Sequence, residues 1–194
     1  MTVYSPPCPS CESCQNCEAN GTWPIAQLVW DWGHYNNNDM EESKTEDVDA
    51  SPVVVEQEYA ATSAQLWSAI TDRDEMQHWY FEEIETFEPV VGFKTQFNIV
   101  LPEREFLHQW EVTEVIPGER IAYTWQYEQY DGLATVTFDV APLDPDNPTA
   151  GSKLTLTCAG VETFTADIPE FERASCEDGW DYFLTESLKD YLDG

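Results

Sequence analysis

Residues 106–127, FLHQWEVTEVIPGERIAYTWQY, constrain the fold more than any other stretch of the chain. Phe106, His108, Trp110 and Val112 alternate with polar residues before the turn Pro117-Gly118-Glu119. Ile121, Tyr123, Trp125 and Tyr127 share one face after it. A period of two sends successive side chains to opposite faces of an extended chain. Each half therefore predicts a half-buried strand, and the turn between them a hairpin. The signature recurs in VVVEQEYA from Val53, in FKTQFNIVL up to Pro102, in LATVTFDVA after Asp131-Gly132, and in SKLTLTCAG after the polar turn DPDNPTAG. In the last of these Leu154, Leu156 and Cys158 share a face. Strands at such short spacing predict an antiparallel meander.

Two other segments repeat at the helical period. TSAQLWSAITD offers Thr62 and Ser63 as N-caps and places Leu66, Trp67 and Ile70 on one side, and a second short helix runs from Met76 to Trp79 and Tyr80. Near the C-terminus, Trp180, Phe183, Leu184, Leu188, Tyr191 and Leu192 form one apolar stripe on a long helix over residues 176–193. The expected architecture is α+β: a strand, two short helices, five or six antiparallel strands, then a long amphipathic helix. A curved sheet closing over that helix buries both apolar faces and can leave a cavity between them.

Charge narrows the partners. Asp and Glu number 38 against 8 Lys and Arg, a formal net charge of −30. Such a surface repels phosphate backbones and anionic headgroups, so nucleic acid and membranes are excluded as partners. The acids are spread along the chain, nine with one base in residues 1–50 and 29 with seven bases beyond. That spread fits a halophile-like solvated surface better than a docking patch for a basic partner. No run of about 20 apolar residues suits a membrane span. No basic-then-apolar leader is read either, so the default expectation is a reducing, cytoplasmic location.

Residues 1–39 read as a Cys-rich, poorly ordered extension without Lys or Arg, and residues 40–52, MEESKTEDVDASP, as an acidic linker. Met40 would serve as a natural start for the domain of residues 53–194. Cys8, Cys11, Cys14 and Cys17 stand at a strict spacing of three. Four thiols are the ligand type of a Zn or Fe–S site, but structural zinc sites draw theirs from two separated pairs. Metal binding, with Zn as a possible ion, redox pairing and a segment without a role all stay open. No nucleophile elbow, phosphate loop or dinucleotide fingerprint is present.

The ordered series LWSAITD with HWYF, then EVIPGERIAYTW, TVTFDV, SKLTLTCAG and GWDYFLTESLKDYL, resembles the activator of heat-shock-protein-90 ATPase homologue family. That family lies in the START/Bet v 1-like helix-grip superfamily. The resemblance spans residues 53–193 and implies a helix-grip fold, its sheet wrapped around the C-terminal helix over a hydrophobic cavity. It also implies either of two roles: binding of a small molecule or lipid, or stress-response work as a chaperone ATPase co-factor. Residues 1–50 are shorter than the chaperone-binding domain of the eukaryotic co-chaperones, and WDWGHYNNN differs in order from their Asn- and Trp-rich motif.

Candidate ligand-binding residues are Trp79, Phe97, His108, Trp110, Tyr123, Trp125, Phe138 and Phe183. Rings supply apolar contact, and Tyr123 or His108 a polar handle. The same rings can equally fill a core. The expectation is a non-catalytic binder of an apolar or aromatic small molecule or lipid, with no cofactor. The alternatives are a chaperone-directed interaction module and a cyclase- or hydrolase-type enzyme using the same cavity through His108 or a buried carboxylate.

Overall fold

The computed structural model describes residues 49–194 except Pro148 and Ala166. The four N-terminal cysteines lie outside the described residues. The chain enters with β1 (Val53–Tyr59), then α1 (Ser63–Thr71) and α2 (Arg73–Trp79). Five strands follow: β2 (Lys94–Val100), β3 (Glu105–Ile116), β4 (Arg120–Tyr127), β5 (Tyr130–Pro142) and β6 (Ser152–Ala159). The last helix runs as α3 (Arg173–Tyr182), a wider π-helical turn (Phe183–Ser187) and α4 (Leu188–Asp193).

Local chemistry sets the helix starts. Thr62 is the N-cap of α1: its hydroxyl accepts from Gln65 N at 3.3 Å, and the Gln65 side chain accepts from Thr62 N at 3.0 Å. Asp72 ends α1 and caps α2, accepting from the amides of Asp74 and Glu75 at 2.9 and 3.2 Å.

The six strands form one antiparallel sheet in the order β1-β6-β5-β4-β3-β2. The one non-sequential pairing, β1 on β6, runs from Val53 opposite Cys158 to Tyr59 opposite Ser152. The register shifts between Val112 and Glu114 on β3 and between Trp125 and Tyr127 on β4. Thr113 is the extra residue on β3, and at the second shift Gln126 of β4 stands against three residues of β5, Asp131 to Leu133. Extra residues on one strand bend it and increase its twist, which helps curl the sheet around the helix.

The inner face carries Phe97 and Ile99, Phe106, His108, Trp110 and Val112, Ile121 and Tyr123, Val136 and Phe138, and Leu154 and Leu156, all buried. Trp180, Phe183, Leu184 and Leu188 of the last helix pack against it. Two bonds pin the helix at its π turn. The Tyr59 hydroxyl donates to Leu184 O at 2.8 Å, and the Ser187 hydroxyl donates to Trp79 O at 2.6 Å.

Candidate functional site: an aromatic cavity between sheet and helix

Between α3 and the curled sheet the side chains do not meet completely. A cavity of about 160 Å³ remains. The helix side presents Cys176, Gly179, Trp180 and Phe183, and the sheet presents Phe106, His108, Trp125, Tyr127, Ala134 and Cys158. The third wall is the segment after β6, with Val161, Phe164 and Phe171. Leu101, Phe164, Ser175 and Gly179 are half-exposed and mark the mouth.

Sequence makes the third wall in short pieces. Gly160 turns the chain off β6 with φ +92°, and a Cβ there would sit 2.5 Å from Leu133 O, so a side chain is excluded on two counts. Short 3₁₀ turns at Val161–Thr163 and Pro169–Phe171 follow. Phe171 then stacks on Tyr127 at 5.3 Å and meets Phe164 at 5.1 Å.

His108 is 4% exposed. Its ring stacks on Phe97 at 4.8 Å and 5°, and meets the edges of Tyr127 at 4.8 Å and Trp125 at 5.2 Å. His108 Nδ1 lies 3.0 Å from Phe106 O. A carbonyl only accepts, so this bond assigns the proton to Nδ1 and leaves Nε2 as a bare acceptor. Burial, against a small opposing effect of the Phe106 carbonyl, pulls the imidazole down to about 3, so the ring is neutral at physiological pH. Burial likewise pushes the Tyr127 phenol well above its ordinary value, keeping it protonated.

One charged side chain reaches the lining among the described residues. It is Glu170, whose Oε2 lies 3.1 Å from Arg104 Nη1. The wall is thus apolar and aromatic with neutral polar points, and its one carboxylate is already paired.

Of the eight residues singled out from the sequence, His108, Trp125 and Phe183 line the cavity. Trp79, Phe97, Trp110, Tyr123 and Phe138 stand in the core behind it, away from its wall. The hydroxyl of Tyr123 lies 3.1 Å from that of Tyr80, and Trp79 Nε1 donates to Ala69 O at 2.8 Å. Both polar ends are therefore spent inside the core. Trp110 Nε1 is a buried donor with no partner among the described residues.

Sequence reasoning passed over Phe81, Tyr127, Phe164 and Phe171 as lining, and the two thiols of Cys158 and Cys176. Alternation already placed Tyr127 and Cys158 on inner faces. Residues 160–172 gave no period, because turns of three residues are too short to show one. Among the described residues no group of three or more His, Cys, Asp or Glu is placed to hold a metal ion, and no helix is long and apolar enough to cross a membrane.

A curled antiparallel sheet gripping a C-terminal helix, with two short helices after the first strand and a cavity in the grip, defines a START-like helix-grip protein. The chain belongs to the family described as "Activator of Hsp90 ATPase homolog 1-like protein", whose profile matches residues 60–193. It is similar to the crystal structure of protein MLL2253 from Mesorhizobium loti, with 29% identity over 73% of this chain and 96% of that one, at a TM-score of 0.54. It is also similar to protein CV1439 from Chromobacterium violaceum, with 20% identity over 74% and 98% and a TM-score of 0.59. The solution structure of the Aha1 dimer from Colwellia psychrerythraea shares the fold at 18% identity over 73% and 95%, with a TM-score of 0.52. No curated protein matches the chain.

Proposed function

We propose that this protein binds a small, uncharged aromatic molecule in the cavity, without transforming it. The observation that carries the reading is the neutral His108, whose Nδ1 is spent on Phe106 O, leaving Nε2 as a bare acceptor on a ring of a mainly apolar and aromatic wall. An acceptor of that kind pairs with a hydroxyl or N–H donor, as on a phenol or an indole.

Size and charge narrow the ligand further. The 160 Å³ is close to the roughly 150 Å³ of an engineered apolar cavity known to take benzene, so one or two fused rings suit it better than a sterol. A carboxylate would enter without a free cation to meet it, since Arg104 is held by Glu170, and burying an unpaired charge costs several kcal/mol, on the order of 5. Fatty acids are therefore disfavoured. The acidic surface supports adaptation to high salt and is no obstacle to a neutral guest.

The test is an amide NMR titration of the full chain in concentrated KCl with 2-naphthol, phenol, 2-naphthoate and octanoate. Saturable shifts at His108, Trp125, Trp180 and Phe183 with the two phenols, and weak response to the two carboxylates, are expected. Equal response to all four compounds would defeat the charge argument. No response to any would turn the reading towards a protein-interaction module.

A further inference from the structure

Glu170 reaches the cavity wall from the segment after β6, and it is fixed from two sides. Its backbone belongs to the 3₁₀ turn Pro169–Phe171, where Phe171 N donates to Ile168 O at 3.0 Å and Glu172 N to Pro169 O at 3.2 Å. The next ring, Phe171, is anchored on Tyr127 at 5.3 Å and against Phe106 at 5.9 Å. The Glu170 side chain is held by Arg104, which lies in the turn between β2 and β3 that Leu101 N closes on Arg104 O at 2.8 Å. Arg104 Nη1 donates to Glu170 Oε2 at 3.1 Å, and the two side chains are 24% and 16% exposed.

That bond uses one carboxylate oxygen. Glu170 Oε1 accepts no hydrogen bond among the described residues, and it is not among their sealed, unpartnered atoms, so it stays open to a guest. At the deep end of the same cavity stands His108 with its bare Nε2. One ring separates the two ends: Tyr127 meets His108 at 4.8 Å and Phe171, the neighbour of Glu170, at 5.3 Å. The wall therefore carries two acceptors without donors and aromatic surface between them.

We infer that Glu170 is a specificity-determining residue of the cavity, and that the guest is an aromatic molecule with a hydrogen-bond donor at each end, of the class of a fused-ring diol or a hydroxyindole. This rests on the reading that a hydroxyl or N–H donor meets His108. The second donor meets Glu170 Oε1. A carboxylate oxygen only accepts, and its charge makes the bond a strong one. An ether at that end brings no donor, and a second carboxylate adds repulsion to the lack of one. Arg104 acts through Glu170: by holding Oε2 it fixes where Oε1 points before the guest arrives, so little ordering remains to be done on binding.

The experiment is a calorimetric titration of the full chain in concentrated KCl with 2-naphthol, 2,6- and 2,7-dihydroxynaphthalene, and 6-methoxy-2-naphthol. The two diols offer two spans, and the methoxy compound has the size of a diol without its second donor. At least one diol should bind about tenfold tighter than 2-naphthol, and the methoxy compound should not. Having two equivalent hydroxyls gives a diol only about twofold on its own. In Glu170→Ala the advantage of the diol over 2-naphthol should fall to that twofold. In the same variant 6-hydroxy-2-naphthoate should bind about tenfold tighter than it does to the wild type, because Arg104 is then free to meet its carboxylate. Diols no more than twofold better than 2-naphthol in the wild type would overturn the inference and leave the aromatic guest in place. So would an advantage shared by the methoxy compound, or one that survives in Glu170→Ala. Binding of none of the four compounds would defeat the reading of the cavity itself, and this inference with it. The wild-type series decides the matter without any variant having to fold.

Discussion

His108 shows how one residue can be expensive to keep and still define a site. Its ring is sealed among Phe97, Trp125 and Tyr127 and stays neutral, whereas in the unfolded chain it protonates near its ordinary 6.5. Between 6.5 and about 3 the unfolded chain therefore binds one more proton than the folded one. Stability is complete above pH 6.5 and declines as pH falls through this window. From pH 7 to pH 5 the loss should be about 2 kcal/mol, before most carboxylates begin to protonate. Urea denaturation at both pH values should show this loss in the wild type and a clearly smaller one in His108→Gln. Identical slopes would mean that the ring is not buried as described. The inward direction of His108 was readable from its alternation with Phe106 and Trp110. Its tautomer was not, because that depends on the carbonyl of Phe106, which no sequence pattern positions.

At the scale of elements, the last helix is held through its irregular turn. The π-helical stretch Phe183–Ser187 sets Phe183 on the cavity and offers Leu184 O to Tyr59 of the edge strand β1. Wider turns of this kind often mark functional positions. Tyr59→Phe removes the donor and leaves a buried carbonyl short of a partner, a loss of about 1–2 kcal/mol. A denaturant midpoint unchanged from wild type would show the bond to be dispensable.

The strands and helices were legible because their periods of two and 3.6 are strong and their turns carry Pro, Gly and Asp. Thr62 declared the start of the first helix, whereas Asp72 went unread as the cap of the second, which begins at Arg73, ahead of Met76. The π turn was hidden, since Trp180, Phe183, Leu184 and Leu188 keep one stripe with or without it. The register shifts at Val112–Glu114 and Trp125–Tyr127 were hidden too, because an irregular pairing leaves no mark on a period of two. Trp125, beside one of these shifts, lines the cavity, while Trp110 and Phe138, equally inward by alternation, lie behind it.

For the molecule as a whole, a hydrophobic interior sits inside a surface of net charge −30, and the cavity joins the two at one mouth. A neutral guest crosses that boundary without meeting the field, and a cavity matched to one or two rings selects by size. Gly179 offers the cleanest way to close it. The residue lines the mouth on α3, three positions after Cys176, and a Cβ there would meet nothing within 4 Å. Replacing a glycine inside a helix also removes a conformational penalty of about 0.5–1 kcal/mol, so larger residues should fold at least as well.

The most direct measurement is a calorimetric titration of 2-naphthol into the wild-type chain, Gly179→Ala and Gly179→Leu. One saturable site is predicted in the wild type, retained in Gly179→Ala and weakened about tenfold or more in a well-folded Gly179→Leu, where the side chain occupies the mouth. Equal affinity in all three proteins would contradict the account, because the ligand would then be bound somewhere other than the cavity between sheet and helix.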